Sequence, residues 1–151
     1  MPSLAKAQGW MLAAVALGVP LSAWGAIYPT NTWLQVGPVA LLLPLAWWAL
    51  RRWPISDASA ACIAGFVLLH LFAARWSYSF VPYDAWMDEG ISAAFGFERN
   101  MFDRLAHFLF GVLAILPMVE LGMRYWGMTR RMALVFALMF VLAIGGFYEI
   151  F

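Results

Sequence analysis

The chain is poor in everything a soluble enzyme usually displays. It has one cysteine, Cys62, so no intrachain disulfide can form. Only 11% of its residues are charged, where a soluble domain carries about 25%. It has no CxxC, P-loop, GxGxxG or HExxH pattern. Net charge is +1, with no basic tail or patch to follow a phosphate backbone, and nucleic acid is not expected as a partner.

What is present is apolar. Of 151 residues, 65% are hydrophobic, and they fall in long runs. A bilayer core of about 30 Å needs roughly 20 apolar residues in a helix. Five runs fit, near 9–27, 33–50, 58–74, 105–123 and 132–151. The expected fold is all-α, a polytopic membrane helix bundle forming one integral membrane domain over 1–151. The lipid bilayer is its first partner. Nine tryptophans, many at the ends of the runs, suit the headgroup level.

Taken in order, Lys6 precedes the first run, which Pro20 interrupts. A basic start before an apolar stretch also fits a signal peptide, with Ala23 and Gly25 as small residues at a cleavage site. The polytopic remainder favours a retained span. Tyr28 to Thr32 reads as an uncharged turn. Pro38 and Pro44 interrupt the second span, and Arg51, Arg52 and Pro54 stop it. Ser56 or Asp57 suits the N-cap of the third. Residues 76–103 form the long connection, rich in acids and aromatics. Trp86, Met87, Ile91, Ala94 and Phe95 lie at helical spacing within 83–97, which predicts a short interfacial helix. The fifth span carries Glu149 and reaches Phe151 without polar anchors, so the terminus reads as unusual or truncated.

Lys and Arg placement predicts orientation. With a cytoplasmic N-terminus, Lys6, Arg51, Arg52, Arg124, Arg130 and Arg131 lie inside, and Arg75, Arg99 and Arg104 outside. Counting depth at 1.5 Å per residue puts His70 about 18 Å above the inner edge and Glu149 about 27 Å above it. His107 lies roughly 5 Å below the outer edge. The three groups therefore reach similar depths near the outer face. Asp103 and His107 share a helix face as i and i+4.

Intramembrane ionisable groups cost about 2.5–3.5 kcal/mol each at a helix centre and persist when paired or when they line a polar cavity. Both readings stand for this cluster. Asp103 or Glu149 pairs with His107 or Arg104 and fixes helix packing, or the cluster forms a pocket open to the outer face. His70, Asp103, His107 and Glu149 would also suit a divalent metal as N/O ligands, although no spacing within one helix signals it. No cofactor is evident. Glu120 and Arg124, i and i+4 near the inner end, read as a structural ion pair.

Three stretches resemble a known family: His70 through Arg75, Ser77, Tyr78, Val81 and Pro82; Arg99-Asn100-x-x-Asp103-Arg104-x-x-His107-Phe108-x-x-Gly111; and Phe147-Tyr148-Glu149. Together they are similar to the YjdF-like bacterial inner-membrane proteins, which carry a domain-of-unknown-function label. The likeness covers about 60–151. The DRxxHF part more loosely resembles VanZ-like membrane proteins. The resemblance implies a helical multi-span fold, a bacterial plasma-membrane location and no particular activity. By position it carries over His70, Tyr78, Arg99, Asn100, Asp103, Arg104, His107, Glu120, Arg124, Tyr148 and Glu149. Two departures stand out. The family often has His-Tyr-Thr-Tyr where this chain has Arg75-Trp76-Ser77-Tyr78, which counts against a metal. It also usually continues past the Tyr-Glu pair with further acids and a span.

Three functions are then expected to compete. In the first, the protein is non-enzymatic, structural or partner-binding, and its polar cluster orders the outer loop; where that cluster binds, Arg99, Asn100, Arg104, His70, Tyr78, Tyr148 and Glu149 are the binding set. In the second, His107 is a general acid/base oriented by Asp103, and Arg99 and Arg104 hold an anionic lipid headgroup or envelope substrate. In the third, Glu149, His70 and Glu120 mark a proton or solute path, for which a homo-oligomer or a membrane partner is needed.

Overall fold

A computed structural model describes residues 4–83, 85, 96 and 100–150, with side chains up to residue 147. Every regular element among them is a helix: α1 (Lys6–Ala23), α2 (Pro29–Arg52), α3 (Asp57–Arg75), α4 (Phe102–Tyr125) and α5 (Arg130–Ile150). The interfacial helix expected within 83–97 falls almost wholly outside the described residues.

Four of these helices are long and apolar enough to cross a membrane: α2, α3, α4 and Arg130–Phe147 of α5. Large apolar side chains stand exposed along the bundle, Leu34 at 72% and Leu41 at 81% among them. In water such a surface would drive aggregation; in a bilayer it is the solvent-facing side. The chain is a multi-span membrane protein.

The helix ends follow local chemistry. Ser56 is the N-cap of α3, its hydroxyl accepting from the Ser59 N–H at 3.2 Å. Pro29 occupies the first position of α2, where its missing N–H costs nothing. That start corrects the expected turn at 28–32, since Asn31 and Thr32 lie inside α2. The helix also runs past 33–50 at both ends, and α1 starts at Lys6 rather than residue 9. Trp24 closes α1, and Gly25 follows with a φ of +62°, a conformation suited to glycine.

α3 is the hub and packs against α1, α2 and α4, whereas α5 packs against α4. Val15, Val19, Val36, Leu71 and Ala74 form the buried cluster where α1, α2 and α3 meet. At Gly18 the first and third helices approach so closely that a Cβ would lie 2.9 Å from Leu71 Cδ1. α1 runs parallel to α3 along its length. Gln8 near its start donates to Ile55 O and Asp57 Oδ1, both at 2.9 Å. At its other end Leu21 O accepts from Arg75 Nη1 at 3.1 Å.

Candidate functional site

Polar side chains gather at the two ends of the hub helix. At the end beyond Arg75, the chain leaves α3 through a Schellman turn. The Ser77 N–H donates to Ala74 O at 3.1 Å and the Tyr78 N–H reaches back to Ala73 O at 2.9 Å. That turn needs a left-handed residue after the cap, normally glycine. Here Ser77 (φ 48°) and Tyr78 (φ 56°) both adopt it, at a cost of about 1–2 kcal/mol each. The reversal folds Tyr78 back over α3 and sets its hydroxyl 2.5 Å from His70 Nδ1.

The other ring nitrogen, His70 Nε2, lies 3.1 Å from the carbonyl of Gln35 on α2. A carbonyl only accepts, so Nε2–H donates to it, and Nδ1 shares a hydrogen bond with the Tyr78 hydroxyl. Both nitrogens are thus engaged. α2 adds more polar groups at this level. Thr32, fully buried, donates to Ala74 O at 3.0 Å, and Asn31 Nδ2 donates to Ser77 Oγ at 2.8 Å. Among the described residues, buried Gln35 Oε1 and Trp76 Nε1 have no hydrogen-bond partner. Arg75, which replaces the histidine of the resemblance, supplies a guanidinium donor to a last-turn carbonyl of α1.

The start of α4 is tied to the same turn. Asn100 Nδ2 donates to Val81 O at 2.7 Å while its Oδ1 accepts the Phe102 N–H at 2.9 Å. The Tyr83 hydroxyl accepts from the Met101 N–H at 2.9 Å. Ala73, Val81 and Phe102 bury together beneath these bonds. Asp103 Oδ1 accepts from the Arg104 N–H at 2.8 Å. His107 and Arg104 are exposed on α4.

Register relates the helices. Phe66 on α3 faces Phe110 on α4, ring centroids 5.2 Å apart, so in this antiparallel pair His70 is level with residue 106. A Cβ at Gly111 would lie 3.6 Å from Val141 Cγ1 on α5, which brings the backbone of 145–149 past 103–107. Residues 70, 103–107 and 148–149 therefore share a level within about one 5.4 Å turn. Azimuth separates them: His70 faces α2 and Tyr78, whereas His107 lies on an exposed stripe of α4. Among the described residues no three His, Cys, Asp or Glu side chains gather as a metal set. Arg99 and the side chains of Tyr148 and Glu149 lie outside the described set.

A family model described as predicted membrane protein (DUF2238) matches residues 7–151, and so runs through all five helices and both polar ends. The chain belongs to the DUF2238 family. Inner membrane protein YjdF of Escherichia coli (strain K12) is 28% identical over 121 residues, 79% of this chain and 56% of YjdF. The chain thus spans little more than half of that relative's length. No solved structure matches.

At the other end of α3 in this DUF2238 chain, Glu120 of α4 reaches across to the hub. Its carboxylate accepts from the Ser56 N–H at 2.7 Å, the Ser56 hydroxyl at 2.6 Å and the Ser59 hydroxyl at 2.5 Å. Arg124 Nη1 lies 3.1 Å from Glu120 Oε1. The carboxylate thus sits on the N-terminus of α3, where free N–H groups and the helix dipole favour an anion. Tyr125 closes the corner by donating to Pro54 O at 2.6 Å. The ion-pair reading of Glu120 missed Ser56 and Ser59, although both helices' ends there could have been matched by counting depth. Gln35, Thr32 and Asn31 were missed because they were assigned to a turn or to an apolar span.

Proposed function

We propose that this is a five-span bacterial inner-membrane protein, N-terminus in the cytoplasm, which binds an anionic ligand of the headgroup-phosphate class at its outer face. The observation that carries the reading is the His70–Tyr78 contact. It is held by two consecutive left-handed, non-glycine residues, next to Trp76, whose buried indole N–H has no acceptor among the described residues. Backbone strain and an unmet donor in one turn are features that binding sites retain, and a donor is what an anion needs.

The five-span topology draws support from α1, which runs beside the membrane-length α3 from Gln8–Asp57 to Leu21–Arg75. Orientation draws support from the six-to-three split of cations between the two ends. The inner-membrane location follows the name of the E. coli relative. In this reading Arg99 and Arg104 hold the anion, and Asn100 anchors the start of α4, which carries Arg104. His70 and Tyr78 form the inner wall, with Tyr148 and Glu149 at the same level of α5. Asp103 and His107 flank the opening.

A second reading, acid/base chemistry on a lipid-linked substrate with His107 and Asp103, gains from the exposed placement of His107 on a lipid-facing helix. The transporter reading loses support, because Glu120 serves α3 at the end opposite His70.

Glycerol phosphate titrated into the purified, detergent-solubilised full chain tests the binding reading. Its saturable rise in melting temperature should vanish in Arg104→Ala and weaken in Tyr78→Phe. No rise at millimolar ligand, or an equal rise in both variants, overturns it.

A further inference from the structure

Near the Glu120 end, α2 parts from α1 and α3. Toward the Tyr78 end the three helices are sealed by Val15, Val19, Val36, Leu71 and Ala74. Beyond Val36, α2 carries Pro38 and Pro44, each of which removes an intrahelical hydrogen bond and permits a bend. A groove of about 590 Å³ opens there, with Leu121, Tyr125 and Trp126 at the end of α4 completing its wall. Its far wall is the sealing cluster itself, since Val39, Leu43, Ala64 and Val67 pack on that cluster and also line the groove. Nearly every lining group is aliphatic or aromatic carbon.

The groove does not end blindly at the mouth. It meets a second hollow of about 530 Å³, with Gln8, Leu50 and Ile55 shared by both walls. The second hollow mixes polar and apolar lining, and Arg124, Asp57 and Ser56 stand on its wall. Asp57 is already committed to Gln8, and the Glu120 carboxylate to Ser56, Ser59 and Arg124. The Arg124 side chain stays 52% exposed despite that pair. Arg52 adds a second cation, its guanidinium carbon 5.6 Å from the ring centroid of Trp53, which lines the groove.

The dimensions match one kind of molecule. From Ile55 to Val67 along α3 the groove spans 12 residues, about 18 Å at 1.5 Å per residue. Half of a bilayer core is about 15 Å. An apolar slot one leaflet deep, opening on a partly polar hollow walled by Arg124 and with Arg52 beside the slot's own Trp53, fits an amphiphile with one hydrocarbon tail inserted and an anionic head outside.

We propose that the wedge between α1, α2 and α3 binds one acyl chain of an anionic phospholipid, with its phosphate held by Arg124 and Arg52. The site lies at the end of the bundle opposite the His70–Tyr78 cluster and does not depend on it.

The test uses the full chain in nanodiscs with phosphatidylglycerol bearing a diazirine in its acyl chain. Photo-adducts mapped by mass spectrometry should concentrate in 39–53 and 60–67. Unlabelled phosphatidylglycerol should displace them about fivefold better than phosphatidylcholine, the effect of roughly one surface arginine. Arg52→Gln, which leaves only the Arg124 already neutralised by Glu120, should erase most of that preference. Ala64→Trp, which fills the slot, should cut adducts there while labelling of the exposed α5 residues Val135, Leu138 and Met139 stays constant. Uniform labelling of all apolar helices, or equal displacement by both lipids, overturns the proposal; the lipid competition on the unaltered chain decides this even if the tryptophan variant fails to fold. Cross-links between two copies at 39–53, with no lipid adducts, overturn it in favour of a dimer contact.

Discussion

The Tyr78 hydroxyl lies 2.5 Å from His70 Nδ1, eight residues earlier in the chain. The contact crosses the end of α3 and exists because Ser77 and Tyr78 turn left-handed in succession. It fixes the imidazole orientation, since the opposite nitrogen faces the carbonyl of Gln35. Removing the hydroxyl leaves a half-buried ring nitrogen without its hydrogen-bond partner. Tyr78→Phe is therefore expected to cost about 1–2 kcal/mol, read as a lower melting temperature in detergent. Tyr78→Phe with unchanged stability would mean that the strained turn is held by packing alone.

Glu120 does more than pair with Arg124. It gathers one backbone N–H and two hydroxyls at the start of α3. Glu120→Ala should lose about 1–3 kcal/mol, chiefly because the buried Ser59 hydroxyl loses its acceptor. Glu120→Gln, with one acceptor oxygen left, should fall between. Arg124→Ala, which removes an exposed partner, should cost under about 1 kcal/mol. Urea or thermal unfolding of the three variants checks the ranking.

Two glycines in the bundle should respond oppositely to added bulk. A side chain at Gly18 meets the buried Leu71, so Gly18→Val should destabilise by about 1–3 kcal/mol. Nothing lies within 4 Å of a Cβ placed at Gly65. Gly65→Ala should therefore stabilise α3 by about 0.5–1 kcal/mol through reduced chain entropy. Paired melting curves test the contrast.

Orientation is open to direct measurement. In a Cys62→Ala background, a cysteine at Ser79, in the exposed turn after α3, should react with a membrane-impermeant maleimide in intact cells. One at Thr129, between α4 and α5, should react only after permeabilisation. The reverse pattern would invert the bundle and put the His70 cluster on the cytoplasmic side.

Helix positions were legible from the sequence because a bilayer demands apolar runs of fixed length. α3 and α4 fall within a few residues of expectation for that reason. Faces were not legible. α3 is apolar all round, so no periodicity revealed that His70 turns toward α2 rather than toward His107. Level is a matter of counting residues and could be estimated; azimuth depends on side-chain packing between particular helices. The α2 start was missed because Pro29 reads equally as a turn residue and as a first helical residue. Glu120 was seen as a pair with its helical neighbour, since its partners on α3 are 61 and 64 residues away.

The central place of α3 also sets the order in which the protein can be assembled. During synthesis α1 and α2 emerge before any residue of the hub. Until then Gln8 lacks Ile55 and Asp57, and Thr32 lacks the Ala74 carbonyl. A nascent chain halted before residue 55 holds these side chains without their eventual acceptors. The packing of the first two helices is consequently complete only once the third has been made.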